Sequence, residues 1–171
     1  MDLISQLTEI LQGVASDPVQ YLIVVFIYAI ATAVFLPFPV EAALFLSDAT
    51  PFWSIALVLS LGKTVGGLVV FSIGGRLEEP LRNSGQGWRV WAAFVRACER
   101  FVLRFGYIGF YALLSIPIMP DTVTLYLFSL FNKEGKVMER RHFLAINFLG
   151  SLTRCAIVYV AADILRPILG I

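Results

Sequence analysis

No Lys or Arg stands before Lys63, so the first 62 residues carry no basic side chain. Without a basic residue or a continuous apolar core in residues 1–15, a secretory signal is not expected there. Charge of either sign is scarce, at 15% of the chain, where soluble domains hold about a quarter. A formal net charge of +1 excludes a bulk field that would draw nucleic acid. Histidine occurs once, at His142, which leaves little for imidazole catalysis or a metal centre. The two cysteines, Cys98 and Cys155, lie far apart without metal-ligand spacing and read as packed thiols rather than a bridge. No nucleophile–base pair and no metal set is evident, so neither an enzyme nor a cofactor is expected.

What the chain does contain is apolar: 58% hydrophobic residues and a mean hydropathy of +0.82. Four long apolar stretches point to an all-α integral membrane protein with residues 1–171 in one domain. Residues 1–16 place Leu3, Leu7, Ile10 and Val14 on one face, predicting an amphipathic helix that Asp17-Pro18 ends. A first unit follows over 19–76. It opens with an apolar run broken at Pro37 and Pro39 and ending in Glu41. Proline removes a backbone donor and clashes with the preceding turn, so the helix should break there. The freed polar groups cannot face lipid and must be buried in protein or line a wet cavity. The return arm from Val40 to Ser47 is too short to span, at roughly 12 Å even as a helix. The cleanest span, 52–76, carries Lys63 and the small-residue face Gly62, Gly66 and Gly67, which lets another helix approach closely.

Residues 77–105 form a basic amphipathic segment. Arg89, Arg96, Arg100 and Arg104 accompany an aromatic stripe that includes Trp88, Trp91, Phe94 and Phe101. This pattern suits an anionic lipid interface, or equally a helix that covers the bundle. The second unit, 106–165, repeats the plan of the first. Pro117 and Pro120 break its apolar run just before Asp121, and a span carrying Arg154 follows. Leu61-Gly62 recurs as Leu149-Gly150. The expected fold is therefore two inverted repeats, each a Pro-broken re-entrant hairpin plus a transmembrane helix, with amphipathic interfacial helices.

Loop charge tests the topology. If both broken segments crossed fully, the basic loops 77–105 and 133–141 would face opposite sides, against the positive-inside rule. Two re-entrant hairpins place both loops on the cytoplasmic side of a cell membrane and the uncharged-to-acidic N-terminus outside. The small-residue face at 62–75 would serve packing within one chain or between copies in a homo-oligomer.

In order along the chain stand the Pro-broken segment ending in Glu41, Gly62-Lys63-Thr64-Val65-Gly66-Gly67, Gly75-Arg76, and Phe105-Gly106. Ser115, Pro117, Pro120 and Asp121 follow, then Leu149-Gly150-Ser151-Leu152-Thr153-Arg154. Over roughly residues 25–160 this set resembles the DedA / VTT (SNARE-associated Golgi protein) superfamily, most closely its short YqaA-like branch. The resemblance implies paired re-entrant hairpins and the movement or scrambling of membrane lipids, including lipid phosphates, with some members linked to the proton-motive force. The larger relatives carry Arg-Phe-x-Pro-x-x-Arg in the second hairpin. Here Ser115 and Pro120 stand about where those arginines would be, so the phosphate-contact role does not carry over; Arg154 is placed to substitute from the next helix.

Glu41, Lys63, Asp121 and Arg154 are ionisable groups inside apolar segments. Each charge at a bilayer centre costs about 2.5–3.5 kcal/mol or more, so such groups pair or line an aqueous path. Two roles stand side by side. In one, the acids cap broken helices and the bases close the bundle by pairing. In the other, Lys63 and Arg154 attract a phosphate headgroup while Glu41 or Asp121 takes up a proton. The expected function is lipid scrambling or flipping through a polar groove between the hairpins, with anionic phospholipid or lipid phosphate and protons as partners. The alternative is proton-coupled export of a small solute or ion. A non-transporting assembly factor that uses the basic helix is a third class. Glu139-x-x-His142 resembles half of a di-metal motif, but without a second copy it reads as a polar pair outside the membrane.

Overall fold

The computed structural model of the chain describes residues 13–35, 40–84, 89–117, 119, 121–130 and 138–169, with the backbone alone for 74–84, 89–99 and 166–169. The described residues are helical, with no strand among them. The elements are α1 (Pro18–Val34), a 3-10 helix (Val40–Phe45), α2 (Phe52–Ser84), α3 (Arg89–Ser115), α4 (Asp121–Leu130) and α5 (Arg140–Leu169).

Local chemistry explains where these helices begin and break. Asp17 caps α1: its Oδ1 accepts from Val19 N at 2.9 Å and Gln20 N at 3.2 Å. Pro18 then occupies the first turn, where its missing N–H is not needed. Helix α3 is broken inside by Gly106, at φ 42° and ψ −124°, a backbone region that favours glycine. The basic segment and the apolar arm Tyr107–Ser115 are thus joined by a sharp bend rather than a loop.

Packing sets the direction of each element. A Cβ at Gly62 would stand 2.7 Å from both Ala29 Cβ and Phe26 O, and one at Gly66 would stand 2.6 Å from Ala33 Cβ and 3.0 Å from Ile30 O. Contacts therefore advance together along α1 and α2, and the two helices run parallel. Between them the chain doubles back: Tyr21 OH donates to Ala43 O, and Ser47 Oγ donates to Ala15 O at 2.7 Å. Helices α3 and α5 also run parallel. Phe110 stacks on Phe143 at 4.6 Å, and Tyr111 OH lies 2.9 Å from Thr153 Oγ1. Gly150 admits Leu114, whose Cβ would be 2.8 Å from an added Cβ.

Helices α2 and α5 run antiparallel. Phe71 meets Phe143 at 4.9 Å at one end, and Phe52 meets Tyr159 at 4.2 Å at the other. Between them Asn147 Nδ2 donates to Lys63 O at 3.0 Å, and Gly67 leaves room for the Asn147 amide. One apolar core gathers Tyr21, Val25, Val40, Leu44, Ile55, Leu59 and Cys155. A second gathers Val70, Phe110, Leu114, Leu125, Phe128 and Phe143. Lys63 lies on α2 between the parts that feed each core.

The outer faces are apolar. Ile23, Ile27, Trp53, Leu57, Leu61, Val65, Leu149, Ile157 and Val160 are all exposed. Phe52–Ile73, of 22 residues, and Arg140–Leu165, of 26, are long and apolar enough to cross a membrane. Boundaries differ from the sequence expectation in three places. Helix α2 continues past Arg76 to Ser84, through Pro80. The arm after Pro39 is a 3-10 helix rather than an α-helix, and the last helix reaches Leu169 through Pro167. The amphipathic helix expected over 1–16 falls almost wholly outside the described residues, as do the prolines Pro37, Pro39 and Pro120.

Candidate functional site: a four-charge cluster at the helix breaks

Each of the four intramembrane charges expected from sequence comes from a different element, and all four meet. Glu41 sits in the first turn of the 3-10 helix and Asp121 in the first turn of α4. Lys63 projects from α2 and Arg154 from α5. Lys63 Nζ lies 2.8 Å from Glu41 Oε1 and 2.5 Å from Asp121 Oδ2. Arg154 Nη1 lies 3.3 Å from Glu41 Oε1 and 2.6 Å from Asp121 Oδ1. Lys63 is 1% exposed, Arg154 3% and Glu41 6%, so solvent screens none of these pairs. Two acids against two bases leave the cluster neutral when all are ionised. Removing one member strands a buried charge, which costs about 3–5 kcal/mol.

The second guanidinium nitrogen of Arg154 has another task. Nη2 donates to Ile116 O at 2.6 Å and Met119 O at 2.7 Å. These carbonyls belong to the Pro117 turn that follows α3, where Ile116 O also accepts from Met119 N at 3.2 Å, so the guanidinium braces that turn. The end of α1 is satisfied differently. Thr122 Oγ1 donates to Thr32 O at 2.8 Å and Tyr126 OH to Val34 O at 3.3 Å, both from α4. Arg154 thus joins a charge pair to a backbone break in one side chain, which its planar fork permits and a lysine ammonium does not.

The remaining expected residues are placed as follows. Gly62 and Gly66 face α1, whereas Gly67 faces α5. Pro117 lies at the exposed turn between α3 and α4. Arg100 and Arg104 are exposed, with Arg104 6.0 Å from the Phe105 ring centre, while the side chains of Arg89 and Arg96 fall outside the described residues. His142 Nδ1 is 3.5 Å from Glu139 Oε2 and its ring meets Tyr107 at 5.5 Å, far along α5 from Arg154.

Sequence reasoning assigned no site role to two buried serines. Ser60 and Ser151 are 0% and 2% exposed, and neither hydroxyl has a partner among the described residues. Their signal was the spacing: each stands three positions before a buried base, as Ser60-x-x-Lys63 and Ser151-x-x-Arg154. Neighbouring hydroxyls behave otherwise. Thr64 Oγ1 donates to Ser60 O and Ser115 Oγ to Tyr111 O, each bonding its own helix.

The described residues thus form a helical protein with two apolar helices of spanning length and a neutral charge cluster where two other helices break. Comparisons with family models, with curated proteins and with solved structures find no match for the chain.

Proposed function

We propose that the chain is a membrane-embedded lipid transporter of the scramblase or flippase type, related to the DedA / VTT superfamily that its motifs resemble. In this reading phospholipid or lipid-phosphate headgroups pass a polar groove opened between two re-entrant hairpins, while the acyl tails stay in the bilayer. The observation that carries it is the buried cluster of Glu41, Lys63, Asp121 and Arg154 at the breaks of two helical hairpins. Charge is costly there and calls for a polar task.

Helix direction supports the hairpins independently of loop charge. Because α1 and α2 run parallel, the chain between them must return to the side where α1 began. The same holds for α3 and α5 with α4 between them. With α2 and α5 antiparallel, the basic segments 77–105 and 133–141 would in this reading share one side, the cytoplasmic side of a cell membrane. Helix α4, of 10 residues, reaches about 15 Å, half of a hydrocarbon core of about 30 Å. The exposed apolar faces of α2 and α5 fit a lipid environment. In the cluster, Lys63 and Arg154 would exchange carboxylate partners for headgroup phosphate, and Arg154 could grip it with two parallel hydrogen bonds.

The decisive experiment is reconstitution of the purified chain in liposomes with fluorescent phospholipid in both leaflets. Redistribution that is fast in wild type and lost in Arg154→Ala is the expected result. Proton-gradient-dependent solute flux without lipid exchange would replace this reading with the exporter. Topology is checked by cysteines at Asp48 and Glu139: only the first should label from outside and only the second from inside.

A further inference from the structure

Three elements agree on where the apolar part of the bundle ends. The spanning-length stretch of α2 closes at Ile73, and that of α5 opens at Arg140. Phe71 meets Phe143 at 4.9 Å, so these two ends stand level. The third element is α3, whose Tyr107 ring meets His142 at 5.5 Å. The Gly106 bend therefore lies at the same polar boundary, just before the apolar arm begins. It turns the basic segment off the line of that arm, at a φ of 42° that a side chain would strain.

The segment before the bend has two faces. Val102 is fully buried, and Phe101 meets Phe128 of α4 edge-on at 6.2 Å, which seats the segment on the bundle. Leu103, Arg104 and Phe105 are exposed, Leu103 by 52% and Phe105 by 48%, and the Arg104 guanidinium stands 6.0 Å from the Phe105 ring centre. Ile108, 80% exposed, continues the apolar surface beyond the bend. Arg140 and Arg141, two residues and one residue before His142 on α5, are exposed as well. The acid on that turn, Glu139, lies 3.5 Å from His142 Nδ1.

Neither water nor hydrocarbon alone suits such a face. Water leaves Leu103, Phe105 and Ile108 unburied, and hydrocarbon leaves the arginines unsolvated. A leaflet of anionic phospholipid offers both layers in the required order. Phosphates lie at the depth of the arginines, and acyl chains lie beneath, where the exposed apolar faces of α2 and α5 continue. An acidic protein would have to present the same layering at the edge of the membrane.

We propose that the outer face of the Gly106 bend docks on an anionic phospholipid leaflet, with Leu103 and Phe105 at the acyl boundary and Arg104, Arg140 and Arg141 against headgroup phosphates. The inner face of the same segment covers the bundle, so one helix does both tasks. The contact is an attachment apart from the charge cluster. It rests on the membrane-embedded reading of the chain but not on lipid movement, so a chain that docks in this way and scrambles no lipid loses the transport reading alone.

The test uses the full chain in phosphatidylcholine liposomes that carry a small fraction of spin-labelled phosphatidylglycerol or spin-labelled phosphatidylcholine. Electron paramagnetic resonance reads how each labelled lipid partitions to the protein. Wild type should prefer the anionic label several-fold, and joint Arg104→Gln, Arg140→Gln and Arg141→Gln replacement should remove most of that preference. The preference should also fall as salt is raised, because these arginines are exposed and the screening length shrinks to about 3 Å at 1 M. A preference held by the buried Lys63 and Arg154 would ignore salt and survive the triple replacement, and that result overturns the proposal. Depth is read with nitroxides on Leu103→Cys and Phe105→Cys, each in a Cys98→Ser background in liposomes containing phosphatidylglycerol. Labels reached by oxygen and shielded from an aqueous nickel chelate are expected. Labels open to the chelate, as on a face kept for an acidic protein, overturn the proposal, as does equal partition of both lipids in wild type. If the triple variant loses its helical circular dichroism, the salt response of wild type and the label depths decide.

Discussion

The chain breaks after α1 and again after α3, and the two breaks are secured by different chemistry. A short helix follows each break, and a long helix then runs parallel to the one that broke. In the first half the break at the end of α1 is closed by neutral hydroxyls borrowed from α4, Thr122 and Tyr126. In the second half the break at the end of α3 is closed by a charged side chain of its own unit, Arg154. The carbonyls at the second break are therefore held by a member of the charge cluster, and those at the first are not. Losing Arg154 should loosen the turn between α3 and α4 more than the turn after α1.

The change expected to weaken the molecule most is Arg154→Met. It removes two ion pairs and two carbonyl contacts together, and should cost about 3–5 kcal/mol in detergent-solubilised unfolding. Lys63→Met should approach that loss by stranding the same acids, yet leave the turn at Ile116–Met119 intact. Limited proteolysis near Pro117 separates the two: faster cutting in Arg154→Met alone sustains the asymmetry, and equal cutting in both breaks it.

Glycine contacts give the next contrast. Gly62→Ala would press a methyl group against the Phe26 carbonyl and the Ala29 side chain, and should cost about 1–3 kcal/mol as overpacking. Gly150→Ala meets the Leu114 Cβ at 2.8 Å with the nearest carbonyl, Tyr111 O, at 3.6 Å, so it should cost less. A thermal melt of the pair reads the difference. Gly106→Ala has open space around it, so its cost is conformational only, about 1 kcal/mol from positive φ. Thr122→Val should show the smallest effect, about 0.5–1.5 kcal/mol from one lost hydrogen bond at the end of α1.

Much of the site was legible before any coordinates. Charge inside an apolar run is so costly that Glu41, Lys63, Asp121 and Arg154 stood out, and their balance of sign implied pairing. Proline chemistry marked both breaks, and small residues marked the α1–α2 contact at Gly62 and Gly66. Less was legible at Gly67, which serves the α5 seam, and at Pro80, which did not end α2 where the amphipathic pattern changed. Ser60 drew no attention and Ser151 stood only as one member of a motif, because serine is ordinary in a helix; burial without a partner among the described residues is what sets them apart.

By itself, then, the sequence determined composition-level facts: apolar helices of spanning length, where they break, and which buried charges need partners. These follow from local energies, the cost of proline in a helix and of charge in an apolar run. Tertiary structure alone decided who pairs with whom. That Arg154 braces the turn after α3, that α1 lies parallel to α2 while α5 opposes it, and that Ser60 and Ser151 are buried depend on contacts between residues distant along the chain. Local propensity is blind to such contacts, because each is a property of two helices meeting and not of either helix.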